Sequence, residues 1–197
     1  MRTIKKVASH IFIDGFGGMT QGLFATLIIG TMIQQIGLLI GGSTGNVIYL
    51  LGKAAAALTS AGIGVGVAVK YGESPLVTVS AAVAAMVGGY AGKITGGTFF
   101  VDGNAVLAGP GEPLGAFIAA FAGITCGHLV SGKTKVDIIV TPVITIGAGS
   151  VVGLLVGPPI SQMMTGLGSI INWATEQRPF IMGIVVSVAV SYTHLRA

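Results

Sequence analysis

Apolar residues run through this chain in long blocks, and the few charges fall between them. No charge stands between Asp14 and Lys53, so residues 19–40 form one charge-free, mostly apolar stretch. Further blocks cover residues 48–69, 75–92, 114–131 and 138–157, with Lys53 near one end of the second, where its stem can reach the headgroups. A helix needs about 20 mostly apolar residues to cross a bilayer, so the pattern predicts five spans. Pro158-Pro159 is expected to stop the fifth.

After that stop the pattern changes. Ile160, Met163, Met164, Leu167, Ile170 and Ile171 recur at helical spacing, with Ser161, Gln162, Thr165, Ser169 and Asn172 on the other side. This predicts an amphipathic helix ending near Trp173 and Glu176, lying in the membrane interface or packed inside the bundle. A sixth apolar block starts at Pro179 and fades at Val190, too short to cross. Ser191 to Ala197 does not continue it and resembles translated adapter sequence. The expected organisation is therefore a partial membrane domain over residues 1–190 and a non-native tail over 191–197.

Between the third and fourth blocks lies Gly109-Pro110-Gly111-Glu112-Pro113, one carboxylate between two prolines. Proline lacks the amide hydrogen and glycine weakens helices, so irregular backbone is expected there. Such backbone is tolerated at membrane depth only where protein or a water-filled cavity surrounds it. Residues 94–108 are apolar but too short to span, which makes the whole connection a candidate re-entrant element. The fold class is all-α: a polytopic transmembrane helix bundle with a re-entrant or irregular hairpin and an amphipathic interfacial helix.

Composition sharpens this. The 197 residues are 52% hydrophobic and only 8% charged, with a mean hydropathy of +0.90. Soluble domains carry about 25% charged residues, so a soluble enzyme is excluded. The 33 glycines fit close helix contacts in lipid. One cysteine, Cys126, excludes an internal disulfide and a multi-cysteine metal site. The net charge of +4 is scattered without a basic run, which argues against nucleic acid. Arg2, Lys5, Lys6, Lys70, Lys133 and Lys135 fall on the connections of one side, against Lys93 and Arg178 on the other. By the positive-inside rule the N terminus is cytoplasmic.

Few residues are left to carry chemistry. Glu112 is the acid least easily assigned to a solvated turn, since a charge in a membrane usually faces a cavity or a partner. Asp102 and Asn104 are turn formers beside glycine, close enough in sequence to share a polar cavity with it. His128 is the histidine within the spans; it can exchange protons, bind a ligand, or be satisfied by a backbone carbonyl. No second ligand stands at metal-binding spacing from it, and no cofactor is implied. Asp14 is expected to cap the first helix and Asp137 to sit at a helix start, while Glu73 belongs to a turn before Ser74-Pro75. Gly127 to Thr134 fits the phosphate-loop pattern by letter, but it closes an apolar helix instead of following a buried strand.

Phe12-Ile13-Asp14-Gly15, the stretch Gly22 to Thr31, Gly123-Ile124 through Thr141-Pro142, and the Glu112-Pro113 hairpin together resemble the membrane subunit IIC of the bacterial sugar phosphotransferase system. The similarity runs over most of residues 8–190 and is greatest to an EIIC-like branch that also carries the description toxin-regulator membrane protein. In the glucose-type subunits a Gly-Ile-Thr-Glu-Pro hairpin supplies a glutamate that binds sugar hydroxyls. Gly109, Glu112 and Pro113 match that motif, and Pro110 and Gly111 replace its Ile and Thr. The resemblance implies a multi-pass protein of the bacterial plasma membrane that binds a sugar through Glu112, with Asp102, Asn104 and His128 as further candidates. It implies IIB and IIA partners, a homodimer, and a phosphorylated residue carried by the separate IIB protein, so that no catalytic residue is assigned here. The alternative reading is a non-catalytic membrane regulator, or a carrier of another solute, on the same fold.

Overall fold

The computed structural model describes residues 10–101, 104–107 and 109–177. Asp102, the residues from Arg178 onward and the 191–197 tail lie outside the described residues. The chain divides into two units, residues 1–160 and 161–197.

Helix α1 (residues 10–40) is continuous but not uniform. It runs as π-helical His10–Gly15, α-helical Phe16–Leu23, π-helical Phe24–Ile28 and α-helical Ile29–Ile40. Asp14 therefore lies within a helical run and does not cap it. A turn at Gly41 leads into α2 (Gly42–Ala57), followed by α3 (Thr59–Lys70), α4 (Pro75–Gly89) and the short α5 (Ala91–Thr95). Two strands of two residues each, β1 (Phe100–Val101) and β2 (Asn104–Ala105), pair antiparallel. Helix α6 (Pro113–Val130) and helix α7 (Asp137–Gln177) complete the described chain.

Among the described residues, Ile13–Ile40, Pro113–Val130 and Asp137–Ser169 are long and apolar enough to cross a membrane. The expected span over 48–69 is broken: α2 and α3 meet at 52° around Leu58. No proline or glycine marks the break. Two hydroxyls stabilise it by donating to carbonyls at the end of α2. Thr59 Oγ1 donates to Ala56 O at 2.6 Å and Tyr90 Oη to Ala57 O at 3.3 Å.

Pro158-Pro159 does not stop the last helix, which continues to Gln177 with Pro142, Pro158 and Pro159 inside it. A proline removes one backbone bond and crowds the carbonyl four residues earlier, and apolar surroundings hold the remaining bonds together. The amphipathic segment over 160–176 is thus the distal part of α7 and not a separate helix. In this second unit Thr165 and Ser169 return their hydroxyls to Ser161 O and Gly166 O, as hydroxyl side chains do where backbone is the nearest acceptor.

Small residues make the helix contacts of the first unit. Gly18 and Gly22 of α1 face Gly66 and Gly62 of α3; a Cβ at Gly18 would stand 2.5 Å from Gly66 O, and one at Gly22 would stand 2.7 Å from Ile63 N. Gly30 and Gly37 meet α2 in the same way, a Cβ at Gly37 standing 2.5 Å from Tyr49 N. Gly115 of α6 packs on Gly88 of α4, and Gly123 on Thr145 of α7. Backbone approach of this kind maximises dispersion contact where lipid supplies no hydrophobic drive. The core around it is formed by Ile63, Val67, Val77, Ala81, Ala85, Ala116, Phe117, Ala120 and Ile124, with Phe16 stacked on Phe117 at 4.9 Å.

Candidate functional site

The proline-rich hairpin ends where α6 begins. Pro113 occupies the first helical position, where its missing amide hydrogen costs nothing, and Glu112 is the residue before it, with extended backbone (φ −88°, ψ 111°). Gly109 and Gly111 have φ of +81° and +74°, which lets the chain fold back within four residues.

Three elements hold this turn. The Tyr90 hydroxyl at the end of α4 donates to Gly109 O. Ser60 Oγ, one residue into α3, donates to Pro110 O at 2.9 Å. The Glu112 amide donates to Gly89 O at 2.7 Å. Ser60 is fully buried and Tyr90 is 1% exposed, so both hydroxyl donors are shielded from solvent, where leaving one unpaired is costly. Lys93 lies over the Tyr90 ring at 5.3 Å, and Phe99 packs against it at 5.4 Å.

All of this fixes the backbone of the hairpin and leaves its carboxylate uncommitted. The Glu112 side chain is half-buried, does not cap its own helix, and makes no hydrogen bond or ion pair to another described residue. An ionised carboxylate is an acceptor on both oxygens, so it is equipped to take hydroxyl donors from a polar ligand. The α2–α3 break lies beside it, joined through Tyr90 and Ser60.

Asn104 lies in exposed β2, and Asp102 is outside the described residues. His128 is 16 residues along α6 from Glu112, about 24 Å at 1.5 Å per residue. One rigid helix carries both, so a single sugar ring cannot touch the two at once. His128 is instead paired at the other end of the bundle. Its Nδ1 lies 3.0 Å from Glu73 Oε1 and 3.2 Å from Oε2. The carboxylate is 8% exposed and the imidazole 71%. Beside this pair the Ser74 and Ser131 hydroxyls lie 3.0 Å apart, tying the turn before α4 to the end of α6.

Tyr71, in that same turn, stands edge-on to Phe121. Burial and then the charge of Asp14 push its phenol above the usual tyrosine range. Asp137 opens α7 as expected, accepting from Gly132 N at 2.9 Å and Thr141 Oγ1 at 2.6 Å. The phosphate-loop pattern at Gly127 to Thr134 follows a helix and leads into a turn, so it lacks the strand that would aim its amides at a phosphate.

Sequence reasoning overlooked Ser60 and Tyr90, and it placed Glu73 in its turn without its His128 partner. A usable signal existed for Tyr90, because a tyrosine inside apolar sequence must find a partner for its hydroxyl and the nearest irregular backbone is the hairpin. Ser60 carried no such mark, being one of several small residues in an alanine- and glycine-rich block.

A family model described as Phosphotransferase system, EIIC matches residues 13–195. No curated protein and no solved structure matches.

Proposed function

The chain belongs to the phosphotransferase system EIIC family and is a membrane subunit of such a transporter, and on that premise we propose that it binds a sugar through Glu112 and presents it for phosphorylation by a IIB partner. The observation that carries this reading is the hairpin: its backbone is held by three hydrogen bonds while its carboxylate makes none to the described protein. Pre-organised backbone with an unspent acceptor is what a hydroxyl-bearing ligand requires.

In this reading the sugar is captured from outside and carried toward the cytoplasmic face. There one of its hydroxyls attacks the phosphorus on the IIB donor; the donor's bond to phosphorus breaks and the hydroxyl proton is released. IIA recharges IIB. The subunit sits in the bacterial plasma membrane as a multi-pass protein with its N terminus in the cytoplasm, which the excess of Lys and Arg on that side supports. It works as a homodimer.

The test is uptake of radiolabelled sugars by cells that supply the general phosphotransfer proteins and the matching IIA and IIB. Accumulation of phosphorylated sugar is expected for the natural protein. Glu112→Gln should lower it roughly tenfold or more, the value of hydrogen bonds to a charged acceptor. Undiminished uptake by Glu112→Gln would remove Glu112 from the site.

A further inference from the structure

We infer that Ser60 and Tyr90 are positioning residues that couple the break in the α2–α3 span to the aim of Glu112, so that the bend of the span and the carboxylate change together. The binding arm of the test rests on the sugar reading given above. The mechanical arm does not.

A phenol has one proton to donate. Tyr90 faces two carbonyls, Gly109 O of the hairpin and Ala57 O of the break, the second at 3.3 Å. Gly109 O is the closer acceptor and takes the proton in this conformation. Ala57 O, the last carbonyl of α2, receives only a weak share. If the hairpin swings away from Tyr90, the same proton becomes fully available to Ala57 O, so the hydroxyl is satisfied in either arrangement. That exchange links two segments more than fifty residues apart in sequence.

Ser60 adds a second link. It stands two residues after Leu58, so any change in the direction of α3 carries its hydroxyl, and with it Pro110 O. Room for adjustment is small: a Cβ at Gly111 would lie 2.5 Å from Ser60 Oγ and 3.0 Å from Gly89 O. The Glu112 amide is fixed to Gly89 O, immediately before Tyr90. Three of the four hairpin residues 109–112 are thus tied to the start of α3 and the end of α4, and the fourth, Gly111, is closely surrounded by the same two elements. The Glu112 backbone, and with it the point from which the carboxylate is aimed, cannot shift unless the junction does.

The mechanical arm uses spin labels at Leu51 on α2 and Val69 on α3, both 62% exposed, in a Cys126→Ser background. Pulsed dipolar spectroscopy in lipid nanodiscs reads the bend. Tyr90→Phe and Ser60→Ala, each first shown to elute as a monodisperse species, should shift or broaden the distance distribution. A distribution unchanged in both variants overturns the coupling.

The binding arm measures equilibrium binding of tritiated glucose, mannitol and N-acetylglucosamine in turn. Tyr90→Phe should weaken binding about three- to tenfold, the value of one hydrogen bond. In a Glu112→Gln background it should have no further effect, because a residue acting through Glu112 is non-additive with it. Additive losses would make Tyr90 merely structural and overturn the positioning role. If the natural protein binds none of the three, the sugar reading loses its support, and the spin-label distances still decide the coupling.

Discussion

Replacing Gly111 by alanine separates two costs that usually arrive together. Gly109 and Gly111 share a left-handed backbone, with φ of +81° and +74°. An alanine at either position incurs about 1–2 kcal/mol for that conformation. Their surroundings differ. Nothing lies within 4 Å of a Cβ built at Gly109, whereas one at Gly111 meets Ser60 Oγ at 2.5 Å and Gly89 O at 3.0 Å. The latter is backbone and cannot rotate away, so overpacking adds about 1–3 kcal/mol. Gly109→Ala should therefore cost about 1–2 kcal/mol and Gly111→Ala about 2–5 kcal/mol. Unfolding in mixed micelles by increasing dodecyl sulfate, followed by far-ultraviolet circular dichroism, gives the difference directly. Ser60→Ala alone should cost about 1 kcal/mol for its hydrogen bond. In the Gly111→Ala background it should cost less or even restore stability, because it removes the atom in the way. Equal losses for the two glycines, or a Ser60→Ala effect unchanged by Gly111→Ala, would refute the crowding described at this junction.

Two further outcomes follow from the opposite end of the bundle. His128→Ala leaves the Glu73 carboxylate, 8% exposed, without its imidazole, and should destabilise the detergent-solubilised protein by about 1–3 kcal/mol in thermal melts; Glu73→Leu combined with His128→Ala should recover most of that, and a neutral single variant would show that the pair contributes nothing. For Tyr71, burial and Asp14 raise the phenol, so its neutral form is favoured in the folded protein. The stability this gives is full below the ordinary tyrosine value near 10 and is lost as pH climbs through the raised folded value. Ultraviolet difference titration against Tyr71→Phe should show phenolate forming later than in a free tyrosine, and Asp14→Asn should bring it part of the way back.

Helices and their order were legible because hydropathy reports lipid-grade blocks directly. Breaks within them were not. The bend at Leu58 lies in Ala54 to Ala57 followed by Leu58 and Thr59, all compatible with a straight helix; the Thr59 hydroxyl is local, but the Tyr90 hydroxyl that also meets the break comes from a distant part of the chain. Pro158-Pro159 misled in the other direction, since local propensity names a stop that the tertiary setting overrides. Asp14 looked like a cap because it stands at the edge of the charge-free block, whereas the chain is already helical from His10. Glu112 could be picked out from its flanking prolines alone. Its supports could not, because Ser60 and Gly89 look the same as many other small residues until the fold brings them to the hairpin. The separation of His128 from Glu112 was readable in principle: both belong to one predicted helix, and 16 residues of helix fix their distance.

The glycine seams reverse the ordinary relation between size and depth. Where α1 and α2 pair, Gly30, Gly37, Gly45 and Gly52 occupy the inside, while Met32, Ile36, Leu39, Leu50 and Leu51 are left pointing outward. A scale that ranks residues by oiliness therefore draws the perimeter of this helix pair, and its seam is written in the residues that such a scale ignores. Bulk on the outside can be exchanged for other bulk with little consequence. A single added methyl on the inside has nowhere to go.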